Sequence, residues 1–144
     1  MSKIKTFRGL INDNTQETIN LHTIDGKTGY KIVNFSLMAI DPIGNNQESV
    51  VKIFSVAQTA TTSLIDFSDS TLLAAGYLEN DNSGSTPTFN DAAIVFGDTV
   101  FNQDIYLTHV EQGADAVNYY LELEQVSLDS NETAVATLKN IKNR

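Results

Sequence analysis

The chain has 144 residues, a net charge of −9, and neither cysteine nor tryptophan. That length suits one domain that buries about two thirds of its unfolded surface without a staple. The missing cysteines exclude disulfides, thiolate metal sites and cysteine nucleophiles, and the acidic balance excludes a generic nucleic-acid binder.

No apolar run approaches the roughly 18 residues of a membrane helix, and Met1-Ser2-Lys3-Ile4 opens no signal peptide. The expectation is a soluble chain made in a cytoplasm, with no membrane and no nucleic acid among its partners.

Lys3 to Ile11 reads as a first strand or as an extended N-terminal arm, carrying the basic residues Lys3, Lys5 and Arg8. Asn12 to Gln16 is a turn cluster. Glu17 to Ile24 alternates, and Asp25-Gly26 predicts a two-residue hairpin because both positions accept positive φ. The return strand runs from Gly29 to Ile40, with Val33, Phe35, Leu37 and Ala39 inward. Asp41 to Asn46 is a loop broken by proline and glycine. Glu48 to Ala57 is a strand with Val50, Phe54 and Val56 on one face and Val51 and Ile53 on the other. Apolar residues on both faces predict a strand between layers or at an interface.

Ser63 to Phe67 reads as a short strand, and Asp69 to Ala75 as one helical turn capped by Asp69 or Ser70. Tyr77 to Glu79 resumes extended structure. Glu79 to Asn90 is a long surface loop, and Ala92 to Phe96 a short apolar strand. The strongest pattern follows. Ile105 and Leu107 share one face of a strand; Val117, Tyr119, Leu121 and Leu123 share one face of the next. Period two over so long a run marks half-buried antiparallel strands. The polar segment Glu111 to Asp115 joins them as a hairpin, with Tyr106 and Tyr120 on the polar faces. After Leu123 the apolar phase slips to Val126 and Leu128, which predicts a bulge or a sheet switch near Gln125.

From Asp129 the period changes. Asp129 precedes Glu132 by three, as in a capping box, and Ala134, Val135, Leu138 and Ile141 recur at helical spacing. The spacing predicts a short amphipathic C-terminal helix within 129–144. The sum is eight or nine strands without βαβ alternation: an all-β antiparallel sandwich, jelly-roll-like or Greek-key, in a single domain over 1–144.

No constellation of reactive groups stands out. His22 and His109 lie near strand ends and read as surface or rim residues; no spacing announces a metal site. Glu122 and Glu124 share a strand face, where solvated carboxylates outweigh a glycosidase pair. Asp66, Asp69 and Asp81 give only a weak suggestion of a loop-bound ion, because EF-hand order is absent. No G-x-S-x-G elbow and no phosphate-cradling glycine loop occurs. The expectation is no enzyme, no metal and no cofactor.

Three blocks carry a resemblance: NDNTQETINLHTIDGKTGYKIVNF, FNQDIYLTH and VNYYLELEQVSLDSNETAVATLKNIKN. Together they resemble small virion structural proteins of marine tailed bacteriophages and related environmental viruses. The resemblance implies a capsid-decorating or vertex component of the virion, synthesised in the host cytoplasm, whose partners are copies of itself and other capsid proteins. It supplies no functional residues. The interface candidates come from the residues themselves: Lys3, Lys5 and Arg8; Val50, Phe54 and Val56; Tyr106 and Tyr120, since tyrosine is enriched at protein contacts; and Leu138 and Ile141. The alternative is a carbohydrate- or host-receptor-binding sandwich that stacks ligand on exposed tyrosines. A hydrolase on the same scaffold is the weakest reading.

Overall fold

Eight strands organise a computed structural model that describes residues 3–21 and 26–128. They are β1 (Lys3–Ile11), β2 (Thr15–Ile19), β3 (Thr28–Ala39), β4 (Gln47–Phe54), β5 (Leu72–Asp81), β6 (Thr88–Val95), β7 (Ile105–Glu111) and β8 (Val117–Ser127). The small sheet has the order β1-β8-β3 and the large sheet the order β2-β7-β4-β5-β6, with every pairing antiparallel. The all-β sandwich expected from the alternation is therefore what the chain builds. The predicted C-terminal helix lies outside the described residues, as do Leu138, Ile141 and His22.

The winding is that of a jelly roll in all but one strand. From β1 to β4 and again from β7 to β8 the chain changes sheet at each connection, and β8 lies between β1 and β3. A closed jelly roll would set β6 beside β3. Here β6 pairs with β5 instead, so among the described residues β3 remains an edge strand and the small sheet has no fourth member.

This winding corrects two expected hairpins. β2 pairs with β7 and β3 pairs with β8, so these two strands are not the arms of the expected Asp25-Gly26 hairpin; residues 22–25 lie outside the described residues. Likewise β7 and β8 belong to different sheets, and 112–116 arches from one to the other. Alternation in both pairs reflects one face on a shared core, with the partners across the core rather than alongside. The hairpin that does form is β5 to β6, where Gly84 takes a φ of 75°. Much of the stretch expected to be loop, 79–90, belongs to these two strands.

The core lies between the sheets. β8 contributes Val117, Tyr119, Leu121 and Leu123, facing Val51 and Ile53 of β4 and Ile105 and Leu107 of β7. In β3, Phe35, Leu37 and Ala39 point inward as expected, but Val33 is exposed. The register with β8 shifts between Ile32 and Asn34, so Val33 is the extra residue of a bulge, and Tyr30 and Ile32 fill the inward places before it. The bulge expected in β8 near Gln125 therefore sits on its partner. β8 itself keeps an unbroken register with β1 from Gln125 to Val117.

Two further expectations fail in the segment 55–71, which forms neither strand nor helical turn. Asp66 and Asp69 instead accept the backbone N–H and hydroxyl of Ser68 and Thr71, two side-chain-closed turns that compete with helix. Leu72, Leu73, Ala74 and Ala75 then enter β5, buried. The segment lies over the outer face of the large sheet. Lys52 anchors it, donating from Nζ to Thr62 Oγ1 at 3.2 Å and to the Leu64 carbonyl at 2.6 Å, and it is only 6% exposed.

Candidate interaction surfaces

The most reactive-looking group in the chain is sealed. His109, expected at a rim, is fully buried in β7, with Nδ1 3.0 Å from the Ile11 carbonyl and 3.1 Å from that of Asn12. Two acceptors at Nδ1 place the proton there and leave Nε2 as an acceptor. Nε2 lies 2.9 Å from Ser49 Oγ, which also accepts from Gln47 Nε2 at 3.0 Å. Gln47 Nε2 donates to the Ala116 carbonyl at 2.9 Å, and its Oε1 accepts from Ile40 N–H at 3.2 Å. Burial pushes the His109 pKa down, outweighing the two carbonyls and the negative charges of Asp13 and Glu111.

Glu111 completes this end of the sandwich. Its carboxylate accepts from the N–H groups of Glu48, Gly113 and Asp115, and its own N–H donates to Asp13. Burial opposes its ionisation, yet those backbone donors together hold its carboxyl below the usual range. The network ties the β1–β2 turn, the end of β3, the start of β4 and the β7–β8 arch together. Those are three of the four connections that cross between sheets. Ser49 and His109 have the spacing of a nucleophile and base, but both are 0% exposed, so no substrate reaches them.

The carboxylates noted in the sequence are also engaged. Glu122 accepts from the Tyr120 hydroxyl at 3.0 Å, and Glu124 pairs with Lys31 at 3.4 Å across the strands. Asp81 closes a turn onto Ser83. Among the described residues no group of three His, Asp or Glu side chains is arranged to hold a metal ion.

What remains open to a partner is surface. On the small sheet, β1 and β8 place Arg8 opposite Tyr120 and Leu10 opposite Asn118; β3 adds Ser36 and Met38 in the same rows. These six residues line a shallow hollow of about 580 Å3. Leu10, Met38 and Tyr120 are exposed, as are Ile4 further along β1 and Ile40 just past β3. Whereas 55–71 covers the outer face of the large sheet, among the described residues nothing covers this one.

A second surface is the β6 margin. Seven of its eight residues are exposed, including Phe89 and Ile94, and its outer edge has no strand partner among the described residues. Its inward face, which the missing fourth strand of the small sheet would cover, opens on a cleft of about 310 Å3. Leu37, Met38, Leu78, Phe89 and Asp91 line it. β6 has no lysine, no proline, no bulge and one charge, Asp91, so the usual protections of an edge are thin.

The expected interface residues do not converge. Lys3, Lys5 and Arg8 sit in a strand paired along its whole length, not in an arm. Arg8 alone of the three faces outward with Tyr120; the Lys5 ammonium lies 5.6 Å from the Tyr30 ring centroid. Phe54 is buried, its outward face under 55–71 beside Lys52, and so is withdrawn from any partner; Val50 and Val56 are half-buried. Tyr106, half-buried, stands opposite Phe54 on the outside of the large sheet, and Tyr120 on the outside of the small one. Sequence reasoning missed Leu10, Met38 and Ile94, whose only signal was an apolar residue at an outward parity, and Phe89, which sits on the inward face of β6 at the open cleft.

Comparison with known proteins adds little. No protein-family model matches the sequence, and no curated protein matches it. Among solved structures, the Yersinia pseudotuberculosis-derived mitogen aligns over 90% of this chain and 89% of that chain, at 10% identity and a TM-score of 0.28. A likeness that slight informs neither fold nor function.

Proposed function

We propose that this chain is a non-enzymatic structural component of a virion, a capsid decoration or vertex protein that associates with copies of itself and with other capsid subunits. The resemblance of the three sequence blocks suggests the particle. The β6 margin is the observation that supports assembly: an open edge beside an apolar cleft is a template for another chain's strand. Burial of the Ser49–His109 pair supports a role without catalysis. Its place is the virion, after synthesis in the host cytoplasm.

The test is quantitative mass spectrometry of purified particles. The chain should be present at a fixed ratio to the major capsid subunit, and Phe89→Lys with Ile94→Lys should abolish its incorporation. Absence from particles overturns the reading. A second reading, a carbohydrate- or receptor-binding module, is favoured by one arrangement, the Arg8, Ser36, Asn118 and Tyr120 groups around the hollow. A glycan-array signal lost in Tyr120→Ala would transfer the assignment to it.

A further inference from the structure

β6 is the outermost strand of the large sheet, and its far edge has no strand partner among the described residues. The phase of its backbone fixes which groups that edge offers. Phe96 N–H donates to the Leu73 carbonyl at 3.0 Å, so in the β5–β6 register Ile94, Ala92, Asn90 and Thr88 likewise turn their N–H and C=O groups towards β5. Phe89, Asp91, Ala93 and Val95 therefore turn theirs to the open edge. Pro87 precedes this set and has no N–H to give; Gly97 lies past the end of the strand.

One antiparallel register of β6 with a second copy of itself satisfies the whole edge. With Ala92 on the two-fold axis, Phe89 meets the partner's Val95 and Asp91 meets the partner's Ala93. All four edge-directed N–H groups of each chain then find a carbonyl. Moving the axis to Asp91 sets two carboxylates directly opposite and leaves Val95 against a proline. Moving it to Ala93 sends Phe89 against Gly97, beyond the strand. Axes further out pair fewer residues. In the Ala92 register the two Asp91 carboxylates are diagonal neighbours instead, about 7–8 Å apart. The axis falls on alanine in a non-hydrogen-bonded pair, where two chains approach most closely. The side chains also suit it. Exposed Phe89, at the cleft, gains the partner's Val95, and exposed Ile94, on the outer face, gains the partner's Asn90.

We propose that two copies of the chain join edge to edge through β6, antiparallel with Ala92 on the two-fold axis, so that the large sheet runs on from one copy into the other. This rests on the β6 margin being an assembly edge, and it names what fills that edge.

Sedimentation equilibrium of the full chain should show a monomer–dimer equilibrium. Ala93→Pro deletes only an edge-directed N–H, so the melting temperature should hold while the dimer weakens about tenfold, one hydrogen bond being lost from each copy. Asp91→Asn should tighten it about threefold by removing the one charge of the strand. Thiols map the register, since the chain has no cysteine of its own. Ala92→Cys should oxidise to a disulfide-linked pair, because its two Cα atoms lie about 4.5 Å apart. Asn90→Cys alone, four positions out of register and about 13 Å from its copy, should not. An equal mixture of Asn90→Cys and Ile94→Cys chains should. A strict monomer, a dimer indifferent to Ala93→Pro, or crosslinking of Asn90→Cys alone overturns the proposal. A chain that is monomeric by itself, yet lost from particles as Ala93→Pro, overturns self-pairing while the assembly edge stands. A dimer with this crosslinking pattern, from a chain absent from particles, supports self-pairing and removes the virion instead.

Discussion

Ser49 Oγ lies 2.9 Å from His109 Nε2 in the middle of a polar relay that runs from the Ala116 carbonyl to the carbonyls of Ile11 and Asn12, and both residues are fully buried. Every step of the relay has a donor and an acceptor, which is the condition for a buried polar network to stabilise rather than weaken a core. The relay also explains how crossing connections, which have no ladder of their own, are held.

Removing the imidazole should be costly. His109→Ala leaves the Ser49 hydroxyl and two carbonyls without their partner and opens a cavity, so a loss of about 3–5 kcal/mol is expected. Urea denaturation at pH 8 measures it. Acid should act on the same group. Its folded pKa is depressed below 6.5, so the unfolded chain takes up the proton first. The stability conferred by neutral His109 is complete above pH 6.5 and is lost as pH falls through the lower folded value. His109→Gln should flatten that part of the pH profile.

Two tyrosines should ionise late. Tyr119 is pushed up to about 12 by burial and by the charge and hydrogen bond of Glu17, which its hydroxyl reaches at 3.2 Å across the sandwich. Tyr77 is pushed up to about 12 first by its hydrogen bond to Glu48, then by burial and by the charges of Glu48 and Glu79. Both folded values lie above the ordinary 10.0, so the stability they confer is full below pH 10 and lost as pH rises towards 12. Ultraviolet titration of the folded chain should show at least two phenols still protonated at pH 11. Glu17→Gln should bring one of them down.

The Lys52 amine holds the middle of the roof over the large sheet, while Gln16 bonds Gln58 and Thr61 bonds Asn14 at its flank. Lys52→Met keeps the stem but deletes the bonds to Thr62 and Leu64, and the expected loss is about 1–3 kcal/mol. The sharper readout is limited proteolysis, with cleavage between Thr61 and Phe67 at least tenfold faster than in the unchanged chain. Equal rates would mean that packing, not the amine, holds the segment.

Gly76 should not tolerate a side chain. A Cβ there would lie 2.9 Å from Phe35 Cε2 and 3.0 Å from Leu37 Cδ1, two side chains of the opposite sheet. Gly76→Val should cost about 1–3 kcal/mol through overpacking. Phe35→Leu in the same chain should recover part of the loss, since the two positions share one contact. Thermal denaturation of the single and double variants checks both.

Much of the fold was legible because alternation reports burial directly. Val117 to Leu123 announced a core face, and the count and antiparallel character of the strands followed. Alternation does not report neighbours. It gives the same signal for strands side by side and for strands on opposite sides of a core, which is why Asp25-Gly26 and 111–115 read as hairpins. His109 read as a rim residue from its place near a strand end; the β1–β2 turn closes over that end and buries it. Leu64, Ile65 and Phe67 imitated a strand by their apolar run, yet all three are exposed. The juxtaposition of Arg8 and Tyr120 had no sequence signal at all, since it depends on the register of two strands 112 positions apart.

That register sets the order in which the molecule can be assembled during synthesis. β4, β5 and β6 are consecutive and pair as they emerge. β1 and β3 leave the ribosome early but share no hydrogen bonds, since both border on β8. Half of the sandwich must therefore wait, unpaired, until translation passes Ser127. Loop closure over that span makes the docking of β8 the slow event. A nascent chain stalled before Val117 should be far more susceptible to protease in β1 than in β5.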